Sequence, residues 1–574
     1  MKKFTLFLML SFVLVLSLIP AFAVSGQAKV YRTNFNSGDI PSIDQALVND
    51  VIGIQLVDEM TVGLLRQNEE TGELEPGMAI EWTASEDKLV YTFKLLTNVP
   101  WVRYNADSQS VEEVVDCDGN VRTVKAQDFV YGAERTLRPA TASPYAFLLN
   151  QALVGAEEYN LGHTTDFSTV GVKALDDETL EISFNEDGVF NLSIISMWMI
   201  HAMPSWLIDG DICTEGLAER WTESSDYQGY GPFTLKSWIH DSELVLIANP
   251  FWPGTDSTPK PILNEVNFRL IGDVMALSEY EAGNMDYAVI PAGDYDRIMA
   301  TPEFKDHLLY KPTSVGTEWL VYNPFLAPTD DVRVRLALSY AVDKVAVVNT
   351  VKAGEPAPYF VNPAVTGAPT PADYPELGIM YDPVKAKAYL DEYCAEKGIK
   401  PADITLNYSY STSDANKLRA ETVQGMWETN LGINVVLKSS EWGVFKVERS
   451  QGLENVYRSS WVQDYMDANN FTADVFLCPG GAYQDITDWP SIGCTDLSNP
   501  KYVEYADVIK KAGKETDPIV RASLYARGEE ILLNEEAIIN SLSWNNSYVL
   551  MSPKVIAPYS ITGYERWEKW DIAE

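Results

Sequence analysis

The first 23 residues constrain the rest of the chain more than any later stretch. Met1-Lys2-Lys3 is a short positive start, Phe4–Ile19 is an almost unbroken apolar run, and Pro20 precedes Ala21-Phe22-Ala23. That order of charge, apolar core and small-residue site reads as a cleaved secretory signal. A membrane anchor is the weaker reading, because the run is at the short end of what spans a bilayer and small residues follow it. Residues 1–23 are therefore set aside from the fold, and the remainder is expected to work outside the cytoplasm, in a periplasm or extracellularly. No cysteine stands at the cleavage site, so a lipid-modified N-terminal Cys is not expected. In an oxidising compartment Cys117, Cys213, Cys394, Cys478 and Cys494 can form at most two pairs. Cys478 and Cys494 flank Pro479-Gly480-Gly481 and are the pair of lowest closure cost, with separate buried thiols as the alternative.

Export would leave a strongly acidic surface. The 574 residues hold 82 Asp+Glu against 43 Lys+Arg, and losing Lys2 and Lys3 with no acid deepens the net charge from −39 to −41. Phosphate neutralisation needs stripes of Lys and Arg, so nucleic acid is excluded as a partner, and anionic membranes are disfavoured for the same reason. Disorder is excluded as well: 15 Trp, 30 Tyr and 20 Phe supply the surface that disordered chains lack. The length corresponds to roughly three to four domain equivalents.

Helices and strands are mixed. Asp382-Pro383 and Asp517-Pro518 each place an N-cap before a proline at the first helical position, and Gly398 ends the first helix. Val332–Val342 is a third helix. Leu89–Leu95, Leu180–Phe184, Leu244–Ala248 and Ile433–Leu437 read as strands, being rich in β-branched and aromatic residues. Asp118-Gly119 predicts a hairpin turn between Val111–Val115 and Val121–Val124. Pro356–Pro375 reads as an irregular surface crossing. No phosphate loop, dinucleotide fingerprint, nucleophile elbow or H-E-x-x-H zinc motif occurs. Asp116, Asp118 and Asn120 start like a calcium loop, but the glycine comes too early and no Glu closes it. The four histidines are scattered, so no metal or other cofactor is expected. The absence of a catalytic constellation in so large an exported chain favours binding over turnover.

Several short segments then recur in a fixed order. They are Pro76-Gly77-Met78-Ala79 to Trp82, Val99-Pro100-Trp101, Val124–Tyr131, Arg138-Pro139, Ser143-Pro144-Tyr145 and Gly171–Leu180. Tyr230-Gly231-Pro232-Phe233, Asn249-Pro250-Phe251-Trp252 and Tyr280 to Asp286 follow. The later ones are Asn323-Pro324-Phe325, Asp331–Leu338 and Trp461-Val462-Gln463-Asp464-Tyr465 with Asn469-Asn470-Phe471. From about residue 30 onward the chain resembles the extracellular solute-binding proteins of family 5, the oligopeptide and dipeptide receptors of ABC importers.

The resemblance implies an α/β, two-lobed periplasmic-binding-protein fold (type II, cluster C) with an extra α+β domain inserted in lobe I. By marker order, lobe I would be 24–57, 190–313 and 541–574, the insertion 58–189, and lobe II 314–540. It implies a monomeric receptor, not an enzyme, that closes on a peptide and delivers it to membrane permease subunits; an oligosaccharide receptor of the same family and a secreted hydrolase are the alternatives. A buried ligand ammonium needs a fixed anion, and the family's W-x-x-D-Y acid is Asp464 here. The ligand carboxylate needs a cation, for which Arg458 and Arg449 match the family's positions and the Arg fork is suited. Tyr145, Tyr280, Trp319 and Trp461 would wall the site with sequence-tolerant rings. Two departures stand out. Members typically continue D-Y-P-D-P, whereas Met466-Asp467-Ala468 follows Tyr465 here, so the loop presenting Asp464 is expected to loosen. An insertion at about 105–120 interrupts the usual link after Trp101. In so acidic a chain, cationic peptides are expected to be favoured.

Overall fold

Local signals in the sequence become helix ends where they are strongest. In the computed structural model, which describes residues 28–35, 38–311, 315–477 and 499–573, Asp382 caps the helix Pro383–Lys397 by accepting from the amides of Val384 and Lys385. Gly398 ends it at φ +66°, in the left-handed region that glycine enters without a Cβ penalty. Asp517 caps Pro518–Glu529 in the same way, and Asp331 caps Val332–Tyr340. The four expected strands form as Val90–Leu95, Thr179–Ser183, Glu243–Ala248 and Asn434–Ser440.

These elements assemble into two α/β lobes. One is built on a four-stranded sheet in the order Val30–Asn34, Glu265–Arg269, Glu243–Ala248, Phe233–Ile239, its first pair parallel and the others antiparallel. A further antiparallel sheet is ordered Ala79–Ala84, Val90–Leu95, Thr179–Ser183, Val172–Asp176, with the helix Ala126–Leu137 packed on its last strand. Both share one apolar core that includes Tyr31, Phe93, Trp101, Trp221 and Trp567. The other lobe is built on Gly316–Tyr322, Val456–Val462, Thr405–Ser411 and Asn434–Ser440, with separate cores around Trp319, Phe360 and Phe471 on one face and Leu338, Tyr408 and Trp427 on the other.

One long strand, Ile539–Met551, has different partners along its length. Its first half pairs with Gly316–Tyr322 and its second with Leu308–Lys311 and Tyr287–Val289, all antiparallel.

One local expectation needs correction. The hairpin of this region pairs Val102–Asn105 with Ser110–Glu113, earlier than expected, and the Asp118-Gly119 turn is closed by the single bridge Val115–Val121. The Asp116 carboxylate accepts from the Asp118 and Asn120 amides and spends the turn's polarity locally. The cysteine in this turn, Cys117, forms a disulfide with Cys213, across a separation of 96 residues that gave no cue in sequence. Arg122 pairs with Asp211 at 2.6 Å beside it. Cys394 is a buried free thiol, and Cys478 and Cys494 lie outside the described residues, as does the segment 1–23. No described helix is long and apolar enough to cross a membrane.

Candidate functional site

A cavity of about 990 Å³ opens between the lobes. One wall comes from the segment around Asn49–Ile54, from Pro144-Tyr145 and from Tyr564; the other comes from the helix Trp442–Ser450 and the strand Val456–Val462. Trp442, Lys446 and Arg449 reach the cavity because positions i, i+4 and i+7 share a helix face. Glu441 starts this helix by accepting from the Gly443 amide at 3.0 Å. The strand supplies Arg458, Ser460 and Trp461, and Asp464 follows two residues after the strand ends.

Asp464 is held by neutral donors alone. The Tyr145 hydroxyl donates to Oδ1 at 3.2 Å, reaching across from the opposite wall, and Asn470 Nδ2 donates to Oδ2 at 3.1 Å. Among the described residues no Lys or Arg forms an ion pair with it. Burial, more than the neighbouring Asp474 charge, raises its carboxyl to about 7. Tyr145 is itself fixed edge-on against Trp198, at 4.9 Å between centroids.

The loop that presents this acid is tied down rather than loosened. Asp467, which stands between the two positions where the family pattern has proline, accepts from Arg521 through both oxygens at 2.7 Å and caps the helix Ala468–Phe476 through the Asn469 amide. A bidentate buried ion pair here does the fixing that prolines were expected to do. Tyr465 also stacks on Phe190 across the seam, with centroids 6.0 Å apart.

The cations are arranged differently. Arg458 lines the cavity, yet its guanidinium forks onto Glu318, donating from Nε at 2.8 Å and from Nη2 to the other oxygen. Arg419, buried beside it, lies 3.7 Å from the same carboxylate and donates to Asn416 Oδ1 at 2.7 Å. Two guanidiniums thus share one acid, and this cluster of three carries one positive charge in excess. Arg449 stands over the Phe445 ring at 5.7 Å. Lys446 donates to Asn49 Oδ1 at 3.2 Å across the mouth, and burial lowers its ammonium pKa against the opposing pull of Asp50.

Five of the seven residues singled out from sequence therefore meet in one cavity: Asp464, Trp461, Arg458, Arg449 and Tyr145. Two do not. Trp319 is fully buried in the strand Gly316–Tyr322, edge-on to Phe360 at 4.8 Å, because its side of the strand faces the core. Tyr280 packs in a separate core with Phe304, and its hydroxyl meets His307 Nδ1 at 2.6 Å. Sequence reading missed Asn470, Tyr564, Lys446, Trp442 and Asp50. The helical spacing 442, 446, 449 was visible and would have flagged two of them; nothing local marked Tyr564, which arrives from the far end of the chain.

The model of the bacterial extracellular solute-binding proteins, family 5, matches residues 73–483. The chain belongs to this family. The oligopeptide-binding protein OppA of Bacillus subtilis is 29% identical over 514 residues, covering 88% of this chain and 86% of its own. The solved murein tripeptide binding protein MppA of Escherichia coli aligns with a TM-score of 0.77 at 25% identity, covering 96% of this chain and 99% of that one. The OppA of Haemophilus influenzae, solved in complex with RPPGFSPFR, aligns with a TM-score of 0.77 at 22% identity over 96% and 99%. The family's two-lobed frame is thus shared across nearly the whole chain.

Proposed function

We propose that this family 5 protein is the extracellular substrate-binding receptor of an ABC importer and that it captures peptides in the inter-lobe cavity without chemical turnover. The observation that carries this reading is Asp464: a cavity-facing carboxyl with neutral hydrogen-bond donors and no ion-pair partner among the described residues. Such a group is costly to ionise until a cation arrives, and a peptide α-ammonium is that cation. Trp461 and Tyr145 flank it as ring walls, while the excess charge of Arg458 and Arg419 over Glu318 favours the ligand's carboxylate. The relatives that bind oligopeptides and a murein tripeptide support the ligand class. Lobe I at 24–57, 190–313 and 541–574, the insertion at 58–189 and lobe II at 314–540 are the proposed divisions. Residues 1–23 are the proposed export signal, and permease subunits are the proposed partners.

Native mass spectrometry after mild purification, followed by calorimetry with the ligand removed, tests the reading. A co-purifying peptide and its rebinding without product formation are expected; a bound sugar, or hydrolysis of the added peptide, overturns it.

A further inference from the structure

Asp464 is one end of a longer arrangement. Asn470, fully buried in the helix Ala468–Phe476, commits its whole side chain to four partners. Nδ2 donates to Asp464 Oδ2 at 3.1 Å and to Asp474 Oδ2 at 3.0 Å; Oδ1 accepts from the Asp464 amide at 2.9 Å and from Trp461 Nε1 at 3.0 Å. Two carboxylates on one side and two N–H groups on the other leave only this orientation of the amide. Asp474 lies one helical turn beyond Asn470, is 2% exposed, and also accepts from the Tyr465 hydroxyl at 2.6 Å. A single amide thus ties together the acid at the cavity, the ring beside it and a second acid behind it.

We infer that Asn470 is the positioning residue of the ammonium site, and that the Asp464–Asp474 pair it bridges gives up a proton when a ligand ammonium enters. This rests on the reading of Asp464 as the ammonium acceptor. The geometry carries it: two carboxyls meet at one buried amide, and if both were ionised their like charges would face each other with no cation among the described residues paired to either. One proton kept on the pair relieves that repulsion. An ammonium beside Asp464 favours the ionised form, so the carboxyl O–H bond breaks and the proton leaves through the cavity to buffer. Burial places both groups at about 7, which puts the exchange in the physiological range.

The charged surroundings do not supply a substitute cation. Tyr145 and Tyr564 face Asp464 from the opposite wall. The small neighbouring cavity adds Asp58, Arg66, His201 and Arg566, whose guanidiniums are committed to Glu59, Glu568 and Asp58. His201 is kept neutral by burial, its pKa lowered to about 4. Around Asp474 stand Tyr465, Tyr525 and Asp467, the last paired with Arg521. Lys510 and Lys514 line the cavity behind it, Lys514 being paired with Glu186 at 2.6 Å.

Calorimetry of the full mature chain with Ala-Ala-Ala at pH 7, in phosphate and in Tris, reads the proton directly through the buffers' different ionisation heats. Release of about 0.5 to 1 proton per peptide is expected. Asn470→Ala is expected to weaken binding about tenfold or more. Asn470→Asp keeps the shape and regains a donor only when protonated, so its affinity should recover toward wild type at pH 5.5 and collapse at pH 8. Equal heats in both buffers overturn the proton step; a uniform loss across pH in Asn470→Asp overturns the positioning role. If no alanine peptide binds, the peptide reading has failed, and ligand-free melting still decides this one. The melting temperature of Asp464→Asn should exceed that of wild type by a margin that widens by about 2 °C or more from pH 5 to pH 8; a margin that stays constant between the two pH values overturns the inference.

Discussion

Two charged groups face the same cavity and are held in opposite ways. Arg458 arrives already paired, its fork closed on Glu318, whereas Asp464 arrives with hydroxyl and amide donors only among the described residues. The first is a preformed ion pair that a ligand must share; the second is an incomplete one that a ligand finishes. The difference teaches that charge in a cavity does not measure what it will bind. What matters is the compensation still missing, because removing one partner of a buried pair costs far more than the pair contributes. Specificity for the amino end of a ligand should therefore be sharp, and specificity for its carboxylate end shallow.

The comparison breaks if the two ends respond alike. Asp464→Ala should cost the largest share of affinity, about 3 to 5 kcal/mol for any peptide with a free amino terminus; calorimetry giving less than a tenfold loss would remove the asymmetry. Asp467→Ala should leave Arg521 buried without its counter-ion and cost about 3 kcal/mol of stability, read as a lower denaturation midpoint. This variant is not a neutral control for Asp464, even though the two acids lie three residues apart.

The next effect concerns pH. The Asp464 carboxyl is raised in the folded chain, so the folded state holds more protons than the unfolded one between about pH 4 and pH 7. Ligand-free stability should fall as pH rises through that window, while affinity for an amino-terminal ligand should climb up to about tenfold per pH unit below 7. Flat affinity from pH 5.5 to 8 would contradict it.

Smaller again is the other pole. Glu318→Gln releases the Arg458 and Arg419 guanidiniums and should strengthen binding of a peptide ending in Glu over one ending in Ala by about 1 to 2 kcal/mol. No change in that ratio would mean the wall's positive charge does not reach the ligand. The smallest change is expected for Lys446→Met. Its contact with Asn49 spans the mouth, is half-buried, and should be worth about 0.5 to 1 kcal/mol, seen mainly as faster dissociation.

Much of this was readable from the chain, and the failures have a common cause. Caps at Asp382 and Asp517 are local chemistry and stood where the residues said. The marker Trp461 to Tyr465 carried the acid because its meaning is contained in five consecutive residues. Trp319 and Tyr280 failed because a ring's fate depends on which face of its strand or helix meets the core, a tertiary fact. The disulfide Cys117–Cys213 was invisible for the same reason, joining loops far apart in sequence. Met466 and Ala468 were read as the loss of two prolines; the compensation is the pairing of Asp467 with Arg521, 54 positions away.

The strand Ile539–Met551 has a mechanical consequence. Because it pairs with Gly316–Tyr322 toward one end and with Leu308–Lys311 and Tyr287–Val289 toward the other, any movement of those strands relative to each other is absorbed as twist within one continuous ladder. It behaves as a torsion spring: its rest angle is set by sheet geometry, and each degree of twist is resisted by bonds on both sides. Amide exchange along 539–551 should therefore report that movement residue by residue.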